Sequence, residues 1–219
     1  MTAPPARTAS VPTAGILPPR PGPEAAPVGG ILLTGGASAR MGRDKATMRI
    51  AGESNARRIA TLLGRLVHPV VEVGPAVSGL LSVREEPEGG GPLVAVACGG
   101  RALRSLGHHG AALVLACDLP FVDEAVLTFL AERPGANSVV PTVDGRPQPL
   151  CARWSAEDLL AAADYAAAGE RAVRALAFDP AERPGEAEWS AVATARTFAD
   201  VDTPEDLARL GIGFAEAFE

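Results

Sequence analysis

From Gly30 onward the chain alternates between two hydrophobic patterns. Short continuous apolar runs read as buried strands, and stretches with apolar residues three or four positions apart read as helices. Alternation of this kind predicts a layered α/β sheet. Gly30 to Thr34, Pro69 to Val73, Leu80 to Val83 and Ala111 to Ala116 are the strand-like runs. Glu53 to Val67 places Ile59, Leu62, Leu63 and Leu66 at helical spacing, and an Ala-rich helical stretch, Leu93 to Leu106, follows the turn at Gly89, Gly90 and Gly91. Asp123 and Ser155 stand where N-caps belong, opening helices to Arg133 and to about Ala167. Ser138 to Val143 and Pro149 to Trp154 are expected to pair as a hairpin across Asp144 and Gly145, whose residue types suit a tight turn. Thr203 precedes Pro204 at a first helical position and the acids Glu205 and Asp206, a further helix start.

Residues 1–29 break the pattern. They hold 8 of the 20 prolines, and proline fixes φ and supplies no backbone donor, so this segment is expected to be a disordered Pro/Ala-rich extension to a single domain over 30–219. The 219 residues are 47% hydrophobic and 21% charged, values of an ordinary folded chain. With only 4% aromatic residues, the core must be built from Ala, Val and Leu. A formal charge of −6 argues against a nucleic-acid partner or an anionic membrane held by a general basic field, yet leaves room for a local cationic pocket. Cys98, Cys117 and Cys151 have no CxxC spacing and read as buried free thiols, which suits a reducing compartment. The N-terminal stretch has no apolar core of a signal peptide, and the longest clean apolar run, Ala111 to Cys117, is too short to span a bilayer. A cytoplasmic location is expected.

Candidate chemistry gathers where strands end. Leu33 to Lys45 runs from a strand into glycines, small residues and then Arg40, Arg43 and Lys45. Glycines let backbone N–H groups converge on phosphate oxygens, Arg40 can grip such oxygens with a planar fork, and Lys45 can supply a mobile point charge. The glycines alone would equally suit an exposed turn. The spacing is neither GxGxxG nor a Walker A loop, because Lys45 stands three residues after Gly42. Asp118 closes the apolar run Leu113 to Cys117, with Pro120 turning the chain away; a carboxylate there could hold Mg²⁺ or merely satisfy a turn. His108 and His109, on a Gly-flanked loop, are expected to be exposed.

These two segments together resemble the molybdenum cofactor guanylyltransferase family of MobA-like nucleotidyltransferases. Residues Leu33 to Lys45 match its opening pattern Leu-x-Gly-Gly-x-Ser-x-Arg-Met-Gly-x-Asp-Lys at every fixed position. The resemblance continues through Gly91 to Leu93, Cys117 to Pro120, Gln148 to Leu150, Gly169 to Arg171 and Phe198 to Leu207, spanning about residues 30–210. It implies a three-layer α/β/α Rossmann-like domain with a mostly parallel sheet. The implied activity is transfer of GMP from GTP to the phosphate of molybdopterin, or its molybdenum-loaded form, with release of pyrophosphate. Carried over by residue, Leu33, Thr34, Gly35 and Gly36 would contact the nucleotide through backbone groups. Lys45 would bind phosphate beside Arg40, Asp118 would hold Mg²⁺, and Gln148 and Arg171 would face the pterin substrate. Transient contact with cofactor-insertion proteins or molybdoenzymes would follow.

The chain departs from the family pattern at several points. Where the family often has an Asp before Gly-Pro-Leu, this chain has Glu85 and Glu86, of which Glu86 is the better match. Asp202 stands where the family has Asn, and could be a second metal ligand or cap the helix that begins at Thr203. After Gly52 the family is Leu-rich, whereas here Glu53, Ser54 and Asn55 follow. Gly35 and Gly36 favour guanine by family analogy. Alternatives are a molybdopterin cytidylyltransferase, a guanylyltransferase for a small phosphorylated acid, or a silent homologue that only binds nucleotide or pterin.

Overall fold

The computed structural model describes residues 28–35, 41, 43–173 and 181–218. Residues 1–27 of the extension expected over 1–29, together with Gly36 and Arg40, lie outside the described residues. The first strand, β1 (Gly29–Leu33), already includes Gly29. A small antiparallel ribbon follows, β2 (Arg49–Ile50) and β3 (Glu53–Ser54). The helix expected from Glu53 therefore begins later, as α1 (Asn55–Leu66), because Glu53 pairs with Ile50 and the Ser54 hydroxyl caps the first turn. Next come β4 (Val70–Val73), β5 (Leu81–Val83), α2 (Pro92–Ser105), β6 (Ala112–Ala116) and α3 (Glu124–Glu132). Asp123 caps α3 through a bond from the Val126 N–H, as its position in the sequence predicts.

The expected hairpin turns at Asp144 and Gly145, both with positive φ, but its ladder is split. β7 (Thr142–Val143) pairs with β8 (Arg146–Pro147), whereas β9 (Cys151–Trp154) runs antiparallel to β6 in the main sheet. Ser155 then caps α4 (Ala156–Ala167). The C-terminal part carries α5 (Glu186–Trp189), α6 (Pro204–Arg209) and α7 (Phe214–Phe218).

The main sheet has the order β5-β4-β1-β6-β9, parallel except for β9. Its central strands are buried on both faces, which is why β1 and β6 read as unbroken apolar runs. One face packs Ile31, Val71 and Val114 against α2 and α4; the other packs Leu32, Leu113 and Leu115 against α1 and α3. That gives the expected three-layer α/β/α arrangement. At Gly99 of α2 a Cβ would lie 2.6 Å from Ile31, so only glycine permits this approach of helix to sheet. A third, smaller core joins Met41 and Met48 to Val201, Leu207 and Leu210, fixing the C-terminal segment beside the loop after β1. All three cysteines are buried and free. No helix among the described residues is long and apolar enough to cross a membrane.

Candidate active site

From β1 the chain builds outward through β4 and β5, then returns to the other side of β1 to form β6. In open α/β sheets, ligands bind beyond the carboxyl ends of strands at such a reversal. Thr34 and Gly35 leave β1 at this point, and Cys117 and Asp118 leave β6. The Cys117 N–H donates to the Leu33 carbonyl at 2.9 Å, keeping the two ends together. Between them opens a cavity of ≈ 440 Å³, lined by Thr34, Gly35, Lys45, Glu85, Asp118 and Asp202 among others. That volume suits a small-molecule ligand. Gly91 and Pro92, at the start of α2, reach the same cavity, and no side chain caps that helix. A long helix whose N-terminus opens on a cavity favours an anion there.

Lys45 begins a single 3₁₀ turn, Lys45–Thr47, fixed by the Asp44 carboxylate, which accepts from the Ala46 N–H at 2.9 Å. The turn delivers the Lys45 ammonium into the cavity, where it donates to Asp118 Oδ2 at 3.2 Å and to Asp202 Oδ1. The Lys45 and Asp118 side chains are 17% and 19% exposed, so the pair is shielded from much of the screening that weakens surface ion pairs. Burial pulls the Lys45 pKa down, but Asp118 and Asp202 outweigh it and hold the ammonium above its ordinary value. Burial pushes Asp118 upward; Lys45 draws it back, and Asp200 and Asp202 push it up again, leaving it raised. Asp200 is likewise raised, by burial and by Asp202.

Asp202 is not a cap. Thr203 caps α6, its hydroxyl accepting from the Asp206 N–H, and the Asp206 carboxylate reaches back to the Asp202 and Thr203 N–H groups. The Val201 N–H donates to the Asp118 carbonyl at 3.1 Å, which sets Asp202 beside Asp118. Among the described residues no group of three or more His, Cys, Asp or Glu side chains forms a metal cage. Two carboxylates that meet at one ammonium are nevertheless a donor set Mg²⁺ uses, since it takes one or two carboxylates and fills its shell with water and phosphate oxygens. The residues fit that ion.

The remaining candidates are divided. Leu33 lines the cavity with Thr34 and Gly35. Glu85, half-buried, lines it too and accepts from the Gly89 N–H, whereas Glu86 is exposed and is not among the lining residues. Gln148 lies in a second, wider depression of ≈ 710 Å³, which Asp200, Arg146, Arg196 and Arg209 also line. Arg171 packs its backbone beside Gly91, while its guanidinium donates to the Ala166 and Glu170 carbonyls at the end of α4. His108 is buried, contrary to expectation, because its Nε2 meets the Ala111 carbonyl at 2.9 Å. Cys117 lines the cavity, but burial and the neighbouring Asp118 push its thiol up, so it is no ready nucleophile.

Glu72 escaped the sequence reading. Fully buried in β4, it accepts from the Thr34 hydroxyl at 2.6 Å and from the Val77 and Ser78 N–H groups at 2.9 Å each. A lone acid within an apolar strand was the available signal.

The fold and this cavity are those of a nucleotidyltransferase, and the chain belongs to the MobA-like NTP transferase domain family, whose pattern it matches over residues 30–182. It is 32% identical over 166 residues to a probable molybdenum cofactor guanylyltransferase of Mycobacterium tuberculosis (strain H37Rv), covering 70% of this chain and 81% of that protein. A probable molybdenum cofactor guanylyltransferase of Opitutus terrae is 36% identical over 158 residues, covering 68% of this chain and 77% of its own. In fold, the chain is similar to the crystal structure of molybdopterin-guanine dinucleotide biosynthesis protein A from Archaeoglobus fulgidus, with a TM-score of 0.69 at 21% identity over 84% of this chain and 96% of that one. A nucleotidyl transferase from Methanothermobacter thermautotrophicus gives a TM-score of 0.65 at 17% identity, over 84% and 95% of the two chains.

Proposed function

We propose that this protein transfers GMP from GTP to the phosphate of molybdopterin, with Mg²⁺ as the metal. The observation that carries the reading is the meeting of Lys45, Asp118 and Asp202 at the mouth of the β1 and β6 strands. An oxygen of the acceptor phosphate attacks the α-phosphorus of GTP, the bond to the β-phosphate breaks, and pyrophosphate leaves with that electron pair. The acceptor phosphate is already ionised at neutral pH, so no general base is needed. What the reaction requires is alignment and neutralisation of charge.

Each residue has a part in that task. Thr34 and Gly35 present backbone groups to the nucleotide, and Glu85 stands at the same wall. Lys45 neutralises charge building on the α-phosphate and the departing pyrophosphate. Asp118 and Asp202 would hold Mg²⁺, which when bound supplies further positive charge to the phosphate oxygens. The depression with Gln148 and three arginines adjoins Asp200 and offers the acceptor side a polar, cationic wall. The reading places the protein in a reducing cytoplasm, in keeping with three buried free thiols.

The test is pyrophosphate release from GTP, CTP, ATP and UTP in separate reactions, each with molybdopterin and with Mg²⁺ or a chelator. Release with GTP alone, lost on chelation, is the expected result. A preference for CTP would overturn the guanine specificity, and silence with all four would overturn the reading.

A further inference from the structure

Asn55 stands where the chain departs from the Leu-rich pattern of its family, and it connects the two halves of the site. It is 1% exposed at the first position of α1. Its backbone N–H donates to the Met48 carbonyl at 2.8 Å, and the Met48 N–H donates to the Lys45 carbonyl at 3.1 Å. Its side-chain amide donates at 2.8 Å to the carbonyl of Cys117, the residue immediately before Asp118. The amide oxygen accepts from Arg58 Nε at 2.8 Å, and the rest of that guanidinium reaches the Leu119 carbonyl at 3.0 Å and the Val122 carbonyl at 2.7 Å. Both flanks of Asp118 are thus held from α1, and the same residue anchors the turn that carries Lys45.

We infer that Asn55 and Arg58 are positioning residues that set the separation of Lys45 and Asp118. The inference rests on the reading of Asp118 as a residue of the reacting centre. Leucine at position 55 keeps the branched outline of Asn in a bulkier side chain, but leaves the Cys117 carbonyl without its donor and Arg58 without its guide. Lysine at position 58 keeps the charge but cannot span two carbonyls in a planar fork. Misplacement of a reacting group by about 1 Å can cost on the order of 10²-fold in rate.

The experiment measures kcat and KM for GTP in the full chain carrying Asn55→Leu, Arg58→Lys, Asp118→Asn, and each of the first two combined with Asp118→Asn. Thermal unfolding of each variant runs alongside. Expected is a fall in kcat of about 10- to 100-fold for either single change, with KM for GTP altered less than about twofold. In the Asp118→Asn background the same changes should cost almost nothing more, because the group they position is already gone. If Asn55→Leu fails to fold, Arg58→Lys carries the test. Normal kcat in a folded variant, or an undiminished loss in the Asp118→Asn background, overturns the inference. Near-normal turnover by Asp118→Asn itself would overturn the underlying reading as well.

Discussion

The Thr34 hydroxyl donates a 2.6 Å hydrogen bond to Glu72, a carboxylate with no exposed surface, and so ties the first residue after β1 to the neighbouring strand. The same carboxylate holds the turn after β4 through Val77 and Ser78. Burial raises its pKa, but these hydrogen bonds outweigh burial and leave it below the ordinary value of 4.5. Its contribution to stability is therefore complete above that ordinary value and is lost as pH falls through the lowered one. Glu72→Gln turns an acceptor into a donor facing N–H groups, and should cost about 1–3 kcal/mol at neutral pH. Urea unfolding across a pH series should show the gap to the unaltered protein narrowing below pH 4.5.

Gly74 faces the same corner. A Cβ there would lie 2.1 Å from the Thr34 hydroxyl and 2.7 Å from the Gly35 nitrogen. Gly74→Ala should therefore destabilise the fold by about 1–3 kcal/mol and weaken nucleotide binding, as the loop is pushed into the cavity. Adding Thr34→Ala should restore only part of both, since the Gly35 contact remains; calorimetric GTP titration with unfolding curves would read the two effects.

Asp118→Asn keeps the shape of the side chain and removes its charge. Nucleotide affinity should stay moderate, while turnover that depends on Mg²⁺ falls by orders of magnitude to a measurable residual rate. The measurement is pyrophosphate release against Mg²⁺ concentration, beside GTP binding by the same variant. A near-normal rate would remove Asp118 from the metal.

Lys45→Ala should lower kcat by about 10²–10³-fold, the usual loss when one preorganised charge donor is removed. It also leaves Asp118 and Asp202 without the ammonium between them, so the Asp118 pKa should rise further than it already stands. Steady-state kinetics at saturating GTP would show the first effect, and unchanged kinetics would take Lys45 out of the site.

The sequence made local devices plain and long-range ones obscure. Asp123 and Ser155 were legible as caps because each acts on an N–H three residues away, whereas the cap of α6 proved to be Thr203 and not Asp202. Lys45 and Asp118 were legible because each closes a compact motif. Glu72 was not, since its role depends on Thr34, 38 positions away. The choice between Glu85 and Glu86 turned on which way the backbone faces after β5, which composition does not encode. β9 runs antiparallel to β6, and strand direction is not encoded in an apolar run. Asn55 stood out only as a departure from a Leu-rich pattern, and its side chain bonds to a strand end 62 positions further on.

Lys45 and Asp202 are 157 positions apart, and the second arrives on the segment just before α6. All five strands of the main sheet are complete by Trp154. A chain emerging from the ribosome therefore carries every strand of its sheet and Asp118 while still lacking the last carboxylate. The cavity floor is finished late in synthesis, and a product cut short after α4 would lack Asp202 together with the Trp189 and Phe198 packing of the main core and the Val201, Leu207 and Leu210 side of the third.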